Sequence, residues 1–202
     1  MEVKLMTPTD FIKTMEHNAA YAMLTCHANT GKLKETDPRV FIEKAIKEEH
    51  ESILEHITLT YEVNNLSRAC LQELARHRHI SLSVESTRHT LEKDFYSDNL
   101  LNYHKNIEER AIIEIVQAFI YSMKNATEEE EYFKSNDYIK YIIPELWPTN
   151  LVMTTNIREL RHIVKLRTAP AALKEFRFLA INFVEVLPDE FKYLLEDCVY
   201  TE

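Results

Sequence analysis

Apolar residues recur at helical spacing along six stretches of the chain, and this pattern predicts helices. Leu71 and Leu74 begin one apolar stripe, and Leu160, Ile163 and Val164 form another at i, i+3 and i+4. Residues that favour helices fill most of the remaining positions in these stretches. The predicted helices cover residues 10–26, 39–49, 66–78, 100–123, 156–167 and 171–186.

Shorter stretches with β-branched or alternating residues predict a few strands between the helices. ITLTYEV (57–63) is rich in β-branched and aromatic residues, and residues 3–7 and 151–155 could pair with it. HISLSVE (79–85) alternates apolar and polar residues, which indicates an extended segment just after a helix. We therefore predict an α+β fold, a single domain over residues 1–202 that is rich in helix and has a small antiparallel or mixed sheet.

The composition fits one soluble domain. The chain has 202 residues, of which 45% are hydrophobic, enough for a sizeable core. No stretch approaches the roughly 20 apolar residues of a membrane span, and the first residues lack the order of a signal peptide. We expect a cytoplasmic protein that does not contact a membrane. Cys26, Cys70 and Cys198 form no CxxC pair, so neither a disulfide framework nor a cysteine zinc site is indicated.

Positive charge is concentrated in one run, although the formal net charge of the chain is −9. ARHRHISLSVESTRHT (75–90) contains three arginines and three histidines but only one acid, Glu85. Proteins that bind nucleic acids need an excess of Lys and Arg, so the acidic balance disfavours nucleic acid as a partner. The chain also lacks the glycine-rich motifs of Rossmann and P-loop proteins. The basic run instead indicates a site for a small anionic ligand.

Two arginines continue the apolar stripes of predicted helices. Arg78 follows Leu71 and Leu74, and Arg167 lies one turn beyond Val164. An arginine keeps its charge when buried, so it needs an anion or several hydrogen-bond acceptors. Each of the two could bind a ligand, form an internal salt bridge, or extend its charged end into solvent at the end of its helix.

HESILEH (50–56) contains two histidines but does not match a zinc motif. His50 and His56 are six positions apart, which on a helix separates them by about 240°, so one helix cannot direct both to one metal ion. No other spacing of carboxylates and histidines supports a metal site, and we predict none. The cysteines lie in apolar, helix-like surroundings, which favours a structural thiol over a nucleophile.

Three motifs together resemble one enzyme family. RHR (76–78), followed after seven residues by Ser86 and then by Arg88, is similar to the RHRx7S signature of the flavin-dependent thymidylate synthases. HESILEH resembles the HxS/TxxEH element of that family, and NIRELRHIVKLRTAPAALKEFR (156–177) resembles its NxR…H/N…LR segment. The motifs stand in the family's order over most of residues 50–180, so the chain is identified as a member of this family.

The resemblance implies a fold, an assembly and a reaction. The family's mixed α/β domain assembles as a homotetramer, and each active site is built from several subunits. The implied cofactor is bound FAD, with NADPH as the hydride source and methylenetetrahydrofolate as the one-carbon donor. The implied reaction is the reductive methylation of dUMP to dTMP. Flavin would carry the redox chemistry, and the protein would supply orientation and charge.

The resemblance assigns the flavin contacts to three parts of the chain. His50 would be a catalytic residue that lies beside the flavin and folate rings. The other FAD-binding residues would be Ser52, Arg76, His77 and Arg78, together with Asn156, Arg158 and His162 from another subunit.

The nucleotide contacts follow from the same resemblance. Arg88 would lie near the phosphate, and Arg167 would face the uracil and polarise it as negative charge develops there. Ser86 would position the nucleotide within the catalytic set, since no His/Asp pair at a recognisable spacing would activate it as a nucleophile. The full set of substrate contacts would be Glu73, Arg76, Ser86, Thr87, Arg88, Lys140 and Arg167.

Four positions depart from the family's usual pattern, and all lie on the nucleotide side. Glu73 stands where the family often has Gln, Val84 where it has Gln or Glu, and His89 where it has Tyr. Lys140 stands in place of an arginine, and lysine can hold phosphate as a point charge but lacks the two-pronged guanidinium. These departures leave open a rearranged dUMP site, weaker activity, a dCMP-like substrate or a hydroxymethylated product. An inactive homologue that binds FAD is a further alternative.

Overall fold

A four-stranded antiparallel sheet lies at the centre of the described part of the chain, which in this computed structural model comprises residues 1–90, 107–126 and 135–201. The strands stand in the order β1-β2-β4-β3. β4 pairs with both β2 and β3, and β1 pairs with the other edge of β2. Their bounds are β1, Glu2–Leu5; β2, Thr58–Ser67; β3, Ile80–Val84; and β4, Pro148–Asn156.

Alternation along β2 determines which face of the sheet meets the core. Leu59, Tyr61 and Val63 are fully buried, whereas the residues between them are partly exposed. Side chains alternate between the two faces of a strand, so this spacing directs one apolar face of β2 towards the helices. Tyr61 lies opposite Met153 of β4, and its ring packs against Phe183 at 4.9 Å between centroids. These buried residues of β2 and β4 belong to one apolar cluster that also contains buried residues of the helices.

Helices and 3-10 turns supply the rest of the core. Among the described residues, none of the helices is long and apolar enough to cross a lipid bilayer. The helices are α1, Thr9–Cys26; α2, Pro38–Lys47; α3, Arg68–Leu74; α4, Ile107–Ala126; α5, Asn136–Ile139; α6, Ile157–Arg167; and α7, Lys174–Glu185. The 3-10 turns are Thr30–Lys34, Glu51–His56, Asp189–Leu194 and Glu196–Cys198.

Most of the predicted elements are present, and the α+β prediction is confirmed. The helices predicted over 10–26, 39–49, 156–167 and 171–186 correspond to α1, α2, α6 and α7 within a few residues. All four predicted strand segments occur in the sheet, which is wholly antiparallel among the described residues. The helix predicted over 100–123 overlaps α4, and its first part, residues 100–106, lies outside the described residues.

The prediction of one helix over residues 66–78 was wrong at both ends. Leu66 and Ser67 belong to β2, and the Ser67 side chain caps α3 by accepting a hydrogen bond from the backbone N–H of Cys70 at 3.0 Å. The helix ends at Leu74, since the chain must turn before β3 pairs with β4. Arg78 is therefore exposed after the turn and does not continue an apolar stripe.

A buried arginine on α6 joins the C-terminal turns to the rest of the domain. The Arg161 side chain is only 6% exposed, and its two terminal nitrogens each donate to the Asp197 carboxylate at 2.6 Å. Its Nε donates to Glu51 at 2.9 Å, and one terminal nitrogen also donates to the carbonyl of Leu194 at 2.8 Å. One side chain thus connects α6, the turn after α2 and the C-terminal segment.

Loss of this connection is expected to destabilise the fold. We predict that Arg161→Ala lowers the free energy of unfolding by about 3 kcal/mol, the lower end of the cost of breaking a buried ion pair, since both carboxylates left behind reach solvent. Lys44→Ala removes the exposed pair between Lys44 and Glu48 and should cost less than about 0.5 kcal/mol. Chemical denaturation of both variants checks this, and equal losses would contradict the role given to Arg161.

Candidate functional site

The N-terminus of α6 lies next to the RHR segment. Asn156 caps the helix, because its side-chain oxygen accepts from the backbone N–H of Glu159 at 2.9 Å. Just before it, the Thr155 hydroxyl donates to the carbonyl of His79 at 3.1 Å. The pairing of β3 with β4 continues to this point, so it brings the residues after RHR beside the start of α6.

HESILEH folds against the start of α6 from another direction. Residues Glu51–His56 form a 3-10 turn, and the carbonyl of Ile57 accepts from the backbone N–H of Ile157 at 2.8 Å. The Glu55 carboxylate pairs with Arg158 at 2.5 Å. Both side chains of this pair are half-exposed, so water weakens it and a ligand could exchange for it. Three motif segments distant in sequence therefore meet at one place.

A cavity of about 620 Å³ lies at this meeting point. Its volume is within the roughly 300–1,000 Å³ typical of small-molecule and cofactor sites. The cavity combines carboxylates, two imidazoles, one guanidinium and one amide, so it offers both donors and acceptors. The lining residues come from all three motif segments or their immediate neighbours: Glu51, Glu55, His79, Asn156, Arg158, Glu159 and His162.

Arg167 lies at the far end of α6 and is held by polar partners. Its side chain is 14% exposed. Its Nε donates to His77 Nε2 at 3.1 Å, and one terminal nitrogen donates to the Glu73 carboxylate at 2.9 Å. The guanidinium also lies 4.7 Å from the centre of the Phe176 ring. Of the alternatives that the apolar stripe left open for Arg167, the structure contains the internal salt bridge.

His77 connects Arg167 to the cavity. It is only 7% exposed, and its Nδ1 lies 3.2 Å from a carboxylate oxygen of Glu159, which lines the cavity. Burial lowers the pKa of His77, and the positive charge of Arg167 lowers it further against the opposing effect of Glu159. The hydrogen bond from Arg167 also lowers the pKa of Glu73. His77 is therefore a neutral ring between a carboxylate and a guanidinium.

The segment of Arg88 contacts the start of α5, the short helix that precedes Lys140. Arg88 forms two bonds to the Asp137 carboxylate, at 2.6 and 3.0 Å, and its carbonyl accepts from the Asn136 amide at 2.9 Å. Asp137 and Asn136 begin α5, and Lys140 follows the end of that short helix. The structure thus brings the segment of Arg88 to the segment of Lys140.

The predicted site residues do not all meet at one place within a single chain. Asn156, Arg158 and His162 line the cavity, whereas His50 and Ser52 are exposed and do not line it. Most of the other predicted contacts also face solvent. Arg76, Arg78, Ser86, Arg88 and Lys140 are exposed, while Glu73 and Thr87 are half-buried.

Some residues of this region had not been singled out from the sequence. Glu159 follows the capping residue Asn156 by three positions, a spacing that indicates a helix start rather than a site. Arg161 could have been found, because it shares a helix face with the buried residues Val164 and Thr168. Glu55 belongs to the HESILEH motif, but its partner Arg158 is 103 positions away and could not be inferred from local spacing.

Comparison with known proteins places this arrangement in a family. The family model for the thymidylate synthase complementing protein matches residues 9–191. The chain belongs to this family. It is 38% identical to the flavin-dependent thymidylate synthase of Campylobacter jejuni (strain RM1221) over 161 residues, which cover 77% of this chain and 78% of that relative. It is 35% identical to the enzyme of the same name from Wolinella succinogenes over 195 residues, covering 91% and 96%.

A solved structure of the thymidylate synthase family agrees with the fold. The flavin-dependent thymidylate synthase of Helicobacter pylori, crystallised with FAD and dUMP, superposes with a TM-score of 0.80 at 30% sequence identity. The superposition covers 99% of this chain and 100% of that one. The family membership predicted from the three motifs is confirmed.

The buried, neutral His77 makes stability depend on pH. An unfolded histidine titrates near pH 6.5, and the folded chain resists protonation of His77 because its pKa is lowered. Its contribution is therefore fully present above about pH 6.5 and is lost as the pH falls from there through the folded-state pKa. We expect the melting temperature of the unmodified chain to fall more between about pH 7.5 and about pH 5.5 than that of His77→Gln. Equal falls would show that His77 is not held neutral.

Proposed function

We propose that this chain is an enzyme that binds FAD and converts dUMP to dTMP by reductive methylation. Methylenetetrahydrofolate is the proposed one-carbon donor and NADPH the proposed reductant. The proposal is carried by the meeting of three motif segments around one cavity in a chain of this family. The likeness over nearly the full length to an enzyme crystallised with FAD and dUMP supports the choice of cofactor and nucleotide.

The exposed donors near the cavity suit a phosphorylated cofactor. The diphosphate of FAD needs hydrogen-bond donors with positive charge, and guanidinium groups provide them in a two-pronged arrangement. Arg158 lines the cavity, and its exchangeable pair with Glu55 can yield to a phosphate. Arg76 and Arg78 face solvent outside the cavity, so they can reach FAD bound to a neighbouring subunit. FAD, when bound, supplies the redox chemistry of the reaction.

Arg167 is the proposed catalytic cation. Glu73, His77 and Phe176 fix its guanidinium, so it would need little reorganisation when charge develops on a pyrimidine beside it. In this role it would donate hydrogen bonds to the pyrimidine and stabilise the negative charge on its carbonyl oxygens in the enolate-like form from which C5 attacks. Arginine suits the task because it stays protonated throughout the pH range of an enzyme.

The phosphate of dUMP is proposed to bind where Arg88 and Lys140 lie. Arg88 now pairs with Asp137, and both side chains are substantially exposed. A phosphate dianion can replace that carboxylate on the guanidinium, because it offers more charge in a similar geometry. Ser86 and Thr87, directly before Arg88, would add hydroxyl donors. His50, from the HESILEH segment, is proposed to contact the flavin and folate rings.

An exposed apolar face on α4 supports the proposed homotetramer. One face of the helix buries Ile113 and Ile120 in a small apolar cluster with Trp147, separate from the core at the sheet. Ile112, Ile115 and Phe119 are 45%, 68% and 51% exposed. The three exposed residues follow i, i+3 and i+7 spacing, so they form one stripe that another subunit could cover. Subunit contacts would also bring the segment of Arg88 to the cavity of another subunit. The single domain over residues 1–202 and the cytoplasmic location stay predictions.

The purified protein is expected to carry flavin and to use dUMP. We predict a yellow protein with a flavin absorption spectrum, a change in that spectrum when dUMP is added, and formation of dTMP in the presence of both co-substrates. With dCMP in place of dUMP we expect no methylated product. Product analysis by mass spectrometry decides between the nucleotides. A colourless protein, or turnover of dCMP alone, would overturn the proposal.

Arg167→Ala tests the catalytic cation. We predict that this variant keeps its FAD and loses about 100-fold or more in kcat for dTMP formation, the effect of removing a donor that acts on developing charge. Arg39→Ala, which removes an exposed arginine on α2, is the matched control and should keep its activity. Turnover close to normal in Arg167→Ala would remove Arg167 from the mechanism.

A further inference from the structure

Four side chains form a continuous line of hydrogen bonds across the site. The line runs from Glu159 to His77 over 3.2 Å, from His77 to Arg167 over 3.1 Å, and from Arg167 to Glu73 over 2.9 Å. Glu159 and Arg167 lie near opposite ends of α6, Glu73 lies on α3, and His77 lies on the turn that follows α3. The line therefore joins the cavity to the guanidinium of Arg167.

The direction of each hydrogen bond follows from the chemistry of arginine. Arg167 can only donate, so His77 Nε2 must be the acceptor and cannot carry a hydrogen. The hydrogen of the neutral ring must then be on Nδ1, where it faces the Glu159 carboxylate. If the ring were protonated, its Nε2–H would point at the N–H of Arg167. The geometry is consistent with one tautomer of His77.

The surroundings keep water from replacing these bonds. His77 packs edge-on against Phe176 at 6.0 Å and against His162 at 5.9 Å between ring centres. Four charged or titratable groups act on the ring: Glu159 and His162 from α6, Arg167 from the end of α6, and Glu73 from α3 through Arg167. Burial lowers the pKa of His77, which agrees with a neutral ring.

The line of hydrogen bonds leaves some N–H groups of Arg167 free to bind a ligand. A guanidinium has five N–H groups. One is used on His77, one on the Glu73 carboxylate and one on the Glu73 carbonyl at 3.4 Å. Among the described residues, the other two, one on each terminal nitrogen, have no acceptor. A fixed guanidinium with two such donors can donate hydrogen bonds to the carbonyl oxygens of a pyrimidine.

We propose that Glu159 is a positioning residue for the methylation: by accepting the Nδ1 hydrogen of His77, it fixes the tautomer through which His77 orients Arg167. This inference rests on the proposed function, since it assigns to Arg167 the task of polarising the pyrimidine. Among the described residues, the Glu159 side chain bonds to His77 and forms no hydrogen bond with the guanidinium of Arg167. It acts through His77, in the way that outer partners set the tautomer and direction of a functional imidazole.

Two substitutions distinguish the bond from the Glu159 side chain to His77 from the bond that the Glu159 backbone forms at the start of α6. The bond from the Glu159 backbone N–H to Asn156 does not involve the side chain, so both Glu159→Gln and Glu159→Ala can keep it. Gln still offers an oxygen to His77 Nδ1, whereas Ala offers none. A difference between the two variants therefore reports on the side-chain acceptor.

The first measurement is the tautomer itself. In the FAD-loaded protein with 15N-labelled histidine, the His77 signals, identified by their loss in His77→Gln, should show a protonated Nδ1 and an unprotonated Nε2 at about pH 8. Glu159→Gln should keep this pattern. In Glu159→Ala the Nδ1 hydrogen has no acceptor, so the bond between His77 and Arg167 should open part of the time and the ring should exchange between its two tautomers. Hydrogen on Nε2 in the unmodified protein, or an unchanged tautomer in Glu159→Ala, would overturn the inference.

The second measurement shows whether the substitution changes kcat or KM for dUMP. We expect Glu159→Ala to lower kcat for dTMP formation by about 10- to 100-fold, with KM for dUMP and FAD content nearly unchanged, as for a misplaced catalytic group. Glu159→Gln should recover most of kcat, and Glu43→Ala on α2 should match the unmodified protein. Full activity in Glu159→Ala would overturn the inference. If the unmodified protein does not methylate dUMP, the proposed function fails, while the NMR result still decides how His77 is held.

Discussion

The permanent charge of Arg167 is the constraint on which this site depends. The guanidinium stands on an apolar face of α6 and cannot lose its proton, so the fold must supply acceptors there. Glu73 and His77 meet this need, and they come from α3 and the turn that follows it. This requirement explains why the middle of the RHR motif is buried although its two arginines are exposed. It also links α3 to α6, the two elements that flank the site.

Local patterns predicted much of the fold. The helices and strands with clear periodicity each bury one apolar face in the core, and that burial produces the periodicity. The failure at residues 66–78 shows where this reasoning stops. Leu71, Leu74 and Arg78 have helical spacing, but the pairing of β3 with β4 requires extended chain from Ile80, and the helix ends earlier. Long-range strand pairing overrides the local pattern, and the local sequence does not indicate that this pairing will form.

The motifs predicted most of the residues of the candidate site, because a family resemblance assigns residues to a site without any knowledge of their contacts. It did not show which of them are exposed. His77 was assigned to flavin together with its two neighbours, yet its ring is buried against Glu159 and Arg167, and a direct flavin contact stays a prediction. The carboxylate partners of Arg88 and Arg158 also escaped prediction, because ion pairs between distant segments depend on the finished fold.

The central claim is that a fixed Arg167 presents its remaining donors to the pyrimidine of dUMP. A crystal structure of the protein with FAD and dUMP tests it most directly. The account predicts that Arg167 keeps its bonds to His77 and Glu73 while a terminal N–H lies within hydrogen-bond distance of a uracil oxygen. A complex in which Arg167 keeps both bonds but points away from the nucleotide, or leaves His77 to reach it, would contradict the account.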